Sequence, residues 1–125
     1  MVIEQELQAF LRVAIQRQFE YGEFDCGLWL ADWIVALGKP DPAFKLRGTY
    51  QHGENCALRI YRTLRSAGLI RTGSPEIGDV GVIRIADKHY VGSICSGARW
   101  VVLRKQGGLS ALNVSMVPKF LAWKV

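Results

Sequence analysis

The periodicity of the apolar residues changes once along this chain, near Pro75, and this change constrains the fold more than any other feature. Before it, apolar side chains recur every three or four residues, as on one face of a helix. After it, short β-branched runs alternate with turn residues. Helices followed by short strands predict an α+β fold in which a small antiparallel sheet packs against the helices. With 125 residues, one domain is expected over 1–125, with a helical half over 1–70 and a β half over 75–125.

Three helices are expected in the first half, over residues 3–19, about 26–37 and roughly 54–67. Asp25 is the expected N-cap of the second helix, and Gly38 is its expected end. The residues predicted to be buried by the third helix are Ala57, Leu58, Tyr61 and Leu64. Five strands are expected in the second half, over residues 80–85, 90–95, 99–104, 109–114 and 121–125, with a turn at 86–88.

The three cysteines are Cys26, Cys56 and Cys95, an odd number without a CxxC pair. Only two histidines accompany them, so neither a disulfide framework nor a structural zinc site is expected. The thiols are therefore predicted to be free, and no cofactor or metal is expected. The four tryptophans are expected to pack in the core rather than to stack on sugars.

The chain carries a formal net charge of +5, which favours anionic partners in general. Nucleic acid, anionic cell-wall polymers and acidic proteins all fit that charge. Arg59, Arg62 and Arg65 recur every three residues, a spacing typical of a solvated helix face, so nucleic-acid binding is not favoured. Neither a signal peptide nor a membrane span is predicted, and synthesis in the cytoplasm is expected.

Cys26 is expected in the first turn of the second helix, where the helix dipole and unpaired backbone N–H groups favour a thiolate. The same N–H groups are able to hold the oxyanion of an acyl intermediate. The negative charge of Asp25 opposes thiolate formation unless that side chain turns away to cap the helix. The alternative is that Cys26 is only a small buried residue.

Three short motifs stand where these elements are expected to begin. They are Asp25-Cys26-Gly27, Gly78-Asp79-Val80 and Tyr90-Val91-Gly92-Ser93-Ile94. Together they resemble the NlpC-type cell-wall cysteine peptidases, papain-like enzymes that cleave peptidoglycan stem peptides. Further segments resemble a small phage and prophage family within that superfamily, and these are Gly22 to Cys26, Ala31-Asp32-Trp33, Asp41-Pro42, Arg47-Gly48-Thr49-Tyr50 and Ala122-Trp123-Lys124-Val125.

The resemblance implies an NlpC-type fold with Cys26 as the nucleophile and with Asp25, Gly27 and Tyr90 supporting the pocket. Tyr90 stands where the peptidases have their catalytic histidine, and His89 lies one residue earlier. On a strand that shift points His89 to the opposite face, unless a bulge after the turn re-aims it. His89 is nevertheless the expected base.

Three other positions bear on the site. His52 is the other histidine that could act as a base. The third catalytic position of the peptidases falls near Val101 and Val102, which are apolar. Arg47 and Tyr50 are candidate interface contacts, with a structural loop as the alternative.

Two functions follow from the resemblance. In the first, the chain is a phage tail peptidase that opens peptidoglycan at the tail tip while DNA enters the cell. In the second, the catalytic set has decayed, and the protein is a structural or adaptor component of the tail tip. Both place the protein in the virion, with other tail proteins as partners and bacterial peptidoglycan as a further candidate.

Overall fold

A computed structural model describes residues 2–53, 56–86 and 89–125. Within them the chain forms three helices followed by a six-stranded antiparallel sheet, which confirms the predicted α+β class. The helices are α1 (Ile3–Ile15), α2 (Cys26–Ala36) and α3 (Cys56–Ser66). The strands are β1 (Ile70–Thr72), β2 (Val80–Ala86), β3 (His89–Cys95), β4 (Arg99–Leu103), β5 (Leu109–Asn113) and β6 (Phe120–Lys124).

The sheet has the strand order β1-β6-β2-β3-β4-β5. The five predicted strands are present, each within one residue of its expected ends. β1 was not predicted, because three residues with Ile70 73% exposed carry no alternating pattern. It forms because it pairs with β6, the last strand of the chain, which also pairs with β2. The predicted turn at 86–88 includes Asp87 and Lys88, which lie outside the described residues.

α2 lies at the centre of the fold and is buried on nearly every side. Its helical geometry is set at both ends, by Asp25 as the predicted N-cap and by Gly38, whose φ of +85° ends the helix. The four tryptophans are all buried, as predicted, at 2% exposure or less. Phe10 of α1 packs against Trp29 and Trp33, so that α1 covers one side of α2.

Two details of the helices differ from the sequence expectation. α1 ends at Ile15 rather than at Phe19, because the chain then turns sharply and Glu20 pairs with Phe24 just before α2. In α3, Leu58 was predicted to be buried but is 44% exposed. Ile60 and Leu64 are among the buried residues of this helix. Leu58 lies two positions before Ile60, which is about 200° around the helix, and therefore faces away from the core. Glu54, the predicted start of this helix, lies outside the described residues.

The Gly78-Asp79 pair joins α2 to the start of β2. The Gly78 carbonyl accepts a hydrogen bond of 2.7 Å from the Trp33 indole N–H. Asp79 is buried, and its carboxylate accepts the backbone N–H groups of Glu76 at 2.8 Å and Val125 at 3.3 Å. This motif therefore fixes where the sheet begins relative to the central helix.

Candidate functional site

Asp25 organises the start of α2. Its carboxylate is fully buried and accepts the backbone N–H groups of Gly27 at 3.0 Å, Leu28 at 2.9 Å and Gly22 at 2.9 Å. The expected capping role is confirmed. It also means that two N–H groups of the first turn of α2, those of Gly27 and Leu28, are already bonded to a carboxylate.

Tyr50 completes this buried arrangement. Its hydroxyl donates a 2.5 Å hydrogen bond to Asp25, and the guanidinium of Arg59 lies 3.8 Å from the centre of the Tyr50 ring. Burial, followed by the bond to the Asp25 carboxylate, raises the pKa of Tyr50 well above its ordinary range, so that the phenol stays protonated. A loop after α2 and the start of α3 are thereby both tied to the cap of α2.

Cys26 is the first residue of α2, and only 8% of it is exposed. Its sulfur lies 3.7 Å from the sulfur of Cys56, the first described residue of α3, and the two thiols share a hydrogen bond. The three cysteines are free thiols. Cys56 was not among the residues predicted for the site, although its place near the expected start of the third helix was a usable signal.

The contact between the two sulfurs shifts the pKa values of the two thiols in opposite directions. The hydrogen bond to Cys56 and burial raise the pKa of Cys26 well above its ordinary value, opposed by a backbone hydrogen bond with Gly92. The hydrogen bond with Cys26 lowers the pKa of Cys56, and the nearby Arg59 acts in the same direction. Because the two groups share one hydrogen bond, the pair loses its first proton easily and its second with difficulty. The first negative charge is expected on Cys56, which is less buried and whose ionisation Arg59 favours.

Strand β3 presents Tyr90 and His89 on opposite faces. Gly92 faces α2 so closely that an added Cβ would lie 2.8 Å from the Cys26 carbonyl oxygen. Ile94 packs in the same core as Cys26, whereas Val91 packs in the core on the other side of the sheet. Alternation along the strand therefore places Tyr90 on the α2 side and His89 on the other.

A bulge does occur near this point, but it lies in β2. The register shifts between Arg84 and Ala86, opposite Tyr90 and His89. The extra residue therefore belongs to the partner strand, and β3 keeps its regular alternation. His89 is exposed, and the bulge in β2 does not turn its side chain toward α2.

A cleft of about 970 Å³ opens beside Cys26. β3 and β4 pair only from Ser93 to Cys95, so the sheet separates toward the start of β3 and leaves this opening. We call its two sides the helical wall, formed by Phe19, Tyr21, Cys26, Gly53 and Cys56, and the sheet wall, formed by residues of β2 to β5, among them His89 and Tyr90, and by Arg104 and Lys105 of the turn between β4 and β5. Both Cys26 and His89 therefore border one cleft, from opposite walls.

The remaining candidate residues lie away from the thiols or are bonded within the chain. Arg47 pairs with Asp32 at 2.8 Å and with Asp41 at 2.8 Å, and Gly48 beside it has a φ of +73°. These ion pairs hold the guanidinium against two carboxylates of the same chain, and 33% of the Arg47 side chain is exposed. His52 is exposed in the segment before α3. Near the expected third catalytic position, Val101 and Val102 are buried on opposite faces of β4.

The described part of the chain has no group of three or more His, Cys, Asp or Glu side chains suited to hold a metal ion. It also has no helix long and apolar enough to cross a membrane. Two adjacent thiols, one buried and one partly exposed, lie beside the cleft.

Fold and site together define an α+β domain whose buried helix begins with a thiol in contact with a second thiol. The chain belongs to a family described as a domain of unknown function, DUF6950, whose model matches residues 2–125. Neither a curated protein nor a solved structure matches the chain at a significant level.

Proposed function

We propose that the chain is a tail-associated protein of a phage or prophage, built on an NlpC-like, papain-type fold and acting at the tail tip during cell-wall penetration. The three motifs that resemble the NlpC-type peptidases lie together in space, which supports this assignment. Cys26 begins the central helix, Gly92 of β3 packs against its carbonyl, and Gly78 accepts a hydrogen bond from the same helix.

Within this role, we propose that the domain serves as a structural or adaptor component and does not cleave peptide bonds. The observation that carries this proposal is that the Cys26 sulfur shares a hydrogen bond with the Cys56 thiol, 3.7 Å away, rather than with an imidazole. A cysteine peptidase needs a base that takes the thiol proton and a thiolate near neutral pH. Tyr90 occupies the strand face where an imidazole would stand, and the pKa of Cys26 is raised.

A peptidoglycan peptidase is the second candidate, and the shared cleft favours it. His89 borders the same opening as Cys26. In that mechanism the thiol proton passes to the imidazole, and the sulfur attacks the carbonyl carbon of a stem-peptide amide. The proton then passes to the leaving amine as the C–N bond breaks, and water hydrolyses the acyl-enzyme. This mechanism requires the His89 side chain to cross from its own face of β3.

Infection by the parent phage distinguishes the two candidates. Deletion of the gene is expected to abolish plaque formation, because a tail component is missing. Cys26→Ala is expected to retain plaque formation, with Cys95→Ala as the matched control for loss of a buried thiol. Virions of Cys26→Ala that assemble normally but fail to deliver DNA would contradict the adaptor role and support the peptidase.

Digestion of purified peptidoglycan provides an independent test. The wild-type protein is expected to release no stem peptides, at a protein concentration where an active wall peptidase completes the digestion. Release that disappears in both Cys26→Ala and His89→Ala would establish the peptidase mechanism instead. Detection of the protein in purified virions tests the tail location separately, and its absence there would refute the tail assignment.

A further inference from the structure

We infer that Cys26 and Cys56 form a redox-active pair, which a low-molecular-weight disulfide such as oxidised glutathione converts into a reversible intramolecular disulfide. The inference rests on three features of the described residues: the proximity of the sulfurs, their position at two helix starts, and the access that the cleft gives to one of them. It does not depend on the tail role or on peptidase activity.

The two sulfurs are in direct contact in the folded chain. They lie 3.7 Å apart, whereas a disulfide requires about 2.05 Å. The residues are 30 positions apart in sequence and begin different helices, so the bond would fasten the start of α3 to the start of α2.

The cleft admits a small disulfide to this pair and to Cys56 first. Both cysteines lie on the helical wall, but Cys26 is 8% exposed whereas Cys56 is only partly buried. Cys56 is also the thiol whose ionisation is favoured, by its bond with Cys26 and by Arg59. Cys95 differs on both counts, because it is fully buried in the other core and burial raises its pKa.

The reaction balances in two exchanges. The Cys56 thiolate attacks one sulfur of oxidised glutathione, forming a Cys56–glutathione disulfide and releasing one glutathione thiolate. Cys26 then loses its proton to that thiolate or to solvent and attacks the Cys56 sulfur. The second glutathione leaves as a thiolate, and the protein dithiol has been oxidised while one disulfide has been reduced to two thiols. A reducing dithiol reverses both steps.

The test incubates the full chain with oxidised glutathione and follows intact mass and a non-reducing peptide map. The wild type is expected to lose two hydrogens in mass, to retain no glutathione on the pair, and to give one cross-linked peptide that contains Cys26 and Cys56. Cys26→Ser is expected to stop at a stable glutathione adduct on Cys56. Cys95→Ser is the matched control and is expected to form the cross-link as the wild type does.

Two results would overturn the inference. One is a wild-type protein whose Cys56 keeps glutathione without resolving to the cross-link. The other is a folded protein whose Cys26 and Cys56 remain unmodified while an unfolded sample of the same chain is oxidised. Both are measured on the wild type, so the inference stays testable even where a serine variant fails to fold. Modification of Cys56 at least tenfold faster than Cys95 is the further expected result.

Discussion

The two walls of the cleft differ in how firmly hydrogen bonds and contacts hold their side chains. On the helical wall, the thiols of Cys26 and Cys56 contact each other, and behind it a fully buried Asp25 accepts hydrogen bonds from three backbone N–H groups and the Tyr50 hydroxyl. On the sheet wall, His89 and Tyr90 are exposed at the point where β3 has left β4. The helical wall thus holds a thiol in a fixed place, whereas the sheet wall holds no imidazole against it.

This difference shows which of the two walls the fold itself maintains. The cap at Asp25 and the packing of Gly92 position the Cys26 backbone whether or not the sulfur reacts, because both contacts also stabilise the domain. A catalytic base has no such second role, since an exposed side chain on a strand contributes little to stability. Substitution of the exposed His89 is therefore expected to leave the fold intact and Cys26 in place.

Removing the carboxylate of Asp25 is expected to have the largest effect. Asp25→Ala leaves three backbone N–H groups and the Tyr50 hydroxyl without their acceptor in a buried place, so we expect the free energy of unfolding to fall by about 3 kcal/mol. Asp25→Asn is the matched control, because it keeps one acceptor oxygen and should lose roughly half as much. Urea unfolding measures both. A change below about 0.5 kcal/mol for Asp25→Ala would show that the cap does not hold the helical wall.

The contact between the walls is tested at Gly92. An added Cβ would lie 2.8 Å from the Cys26 carbonyl oxygen and 3.0 Å from Leu30, so β3 has to move away from α2. We expect Gly92→Ala to lower the free energy of unfolding by about 2 kcal/mol. Gly73→Ala is the control, because an added Cβ there meets nothing within 4 Å. Equal stability of the two variants would mean that the walls do not depend on this close approach.

The acidity of Cys26 depends on its neighbour within the helical wall. Since Cys56 is the largest cause of the raised pKa of Cys26, Cys56→Ala is expected to lower that pKa. The thiolate is the form that reacts, so at a fixed pH below the wild-type pKa the alkylation of Cys26 should become about tenfold faster. The midpoint of rate against pH, followed by mass spectrometry, separates this effect from easier access. Cys95→Ala is the control and should leave the midpoint unchanged. If the midpoint also stays unchanged in Cys56→Ala, Cys56 is not the cause of the raised pKa of Cys26.

Much of the fold was predictable because local patterns determine it. Asp25 before an apolar run and Gly38 after it mark α2, and the β-branched runs mark five of the six strands in the described chain. The short β1 was missed, since Ile70 is exposed and the strand depends on pairing with the distant β6. The helical wall was predictable in part, as the cap and Cys26 are neighbours in sequence.

The Cys26–Cys56 contact was not predictable in the same way. It requires α3 to cross the start of α2, and that packing depends on Ile60 lying against Gly27, where an added Cβ would come within 2.9 Å. The sequence pattern for α3 predicted the buried Leu64 correctly but placed Leu58 inside and did not identify Ile60, the residue that makes this contact. Likewise, the contacts of Tyr50 depend on a loop whose course no local pattern describes.

Removing His89 is expected to have the smallest effect. Because the imidazole is exposed and lies on the face of β3 away from α2, His89→Ala should change the free energy of unfolding by less than about 0.5 kcal/mol. The rate of Cys26 alkylation should keep the same dependence on pH. Tyr90→Phe is the matched control on the opposite face. A tenfold fall in the rate near pH 7 in His89→Ala alone would show that the sheet wall does supply a base, and the contrast between the walls would no longer hold.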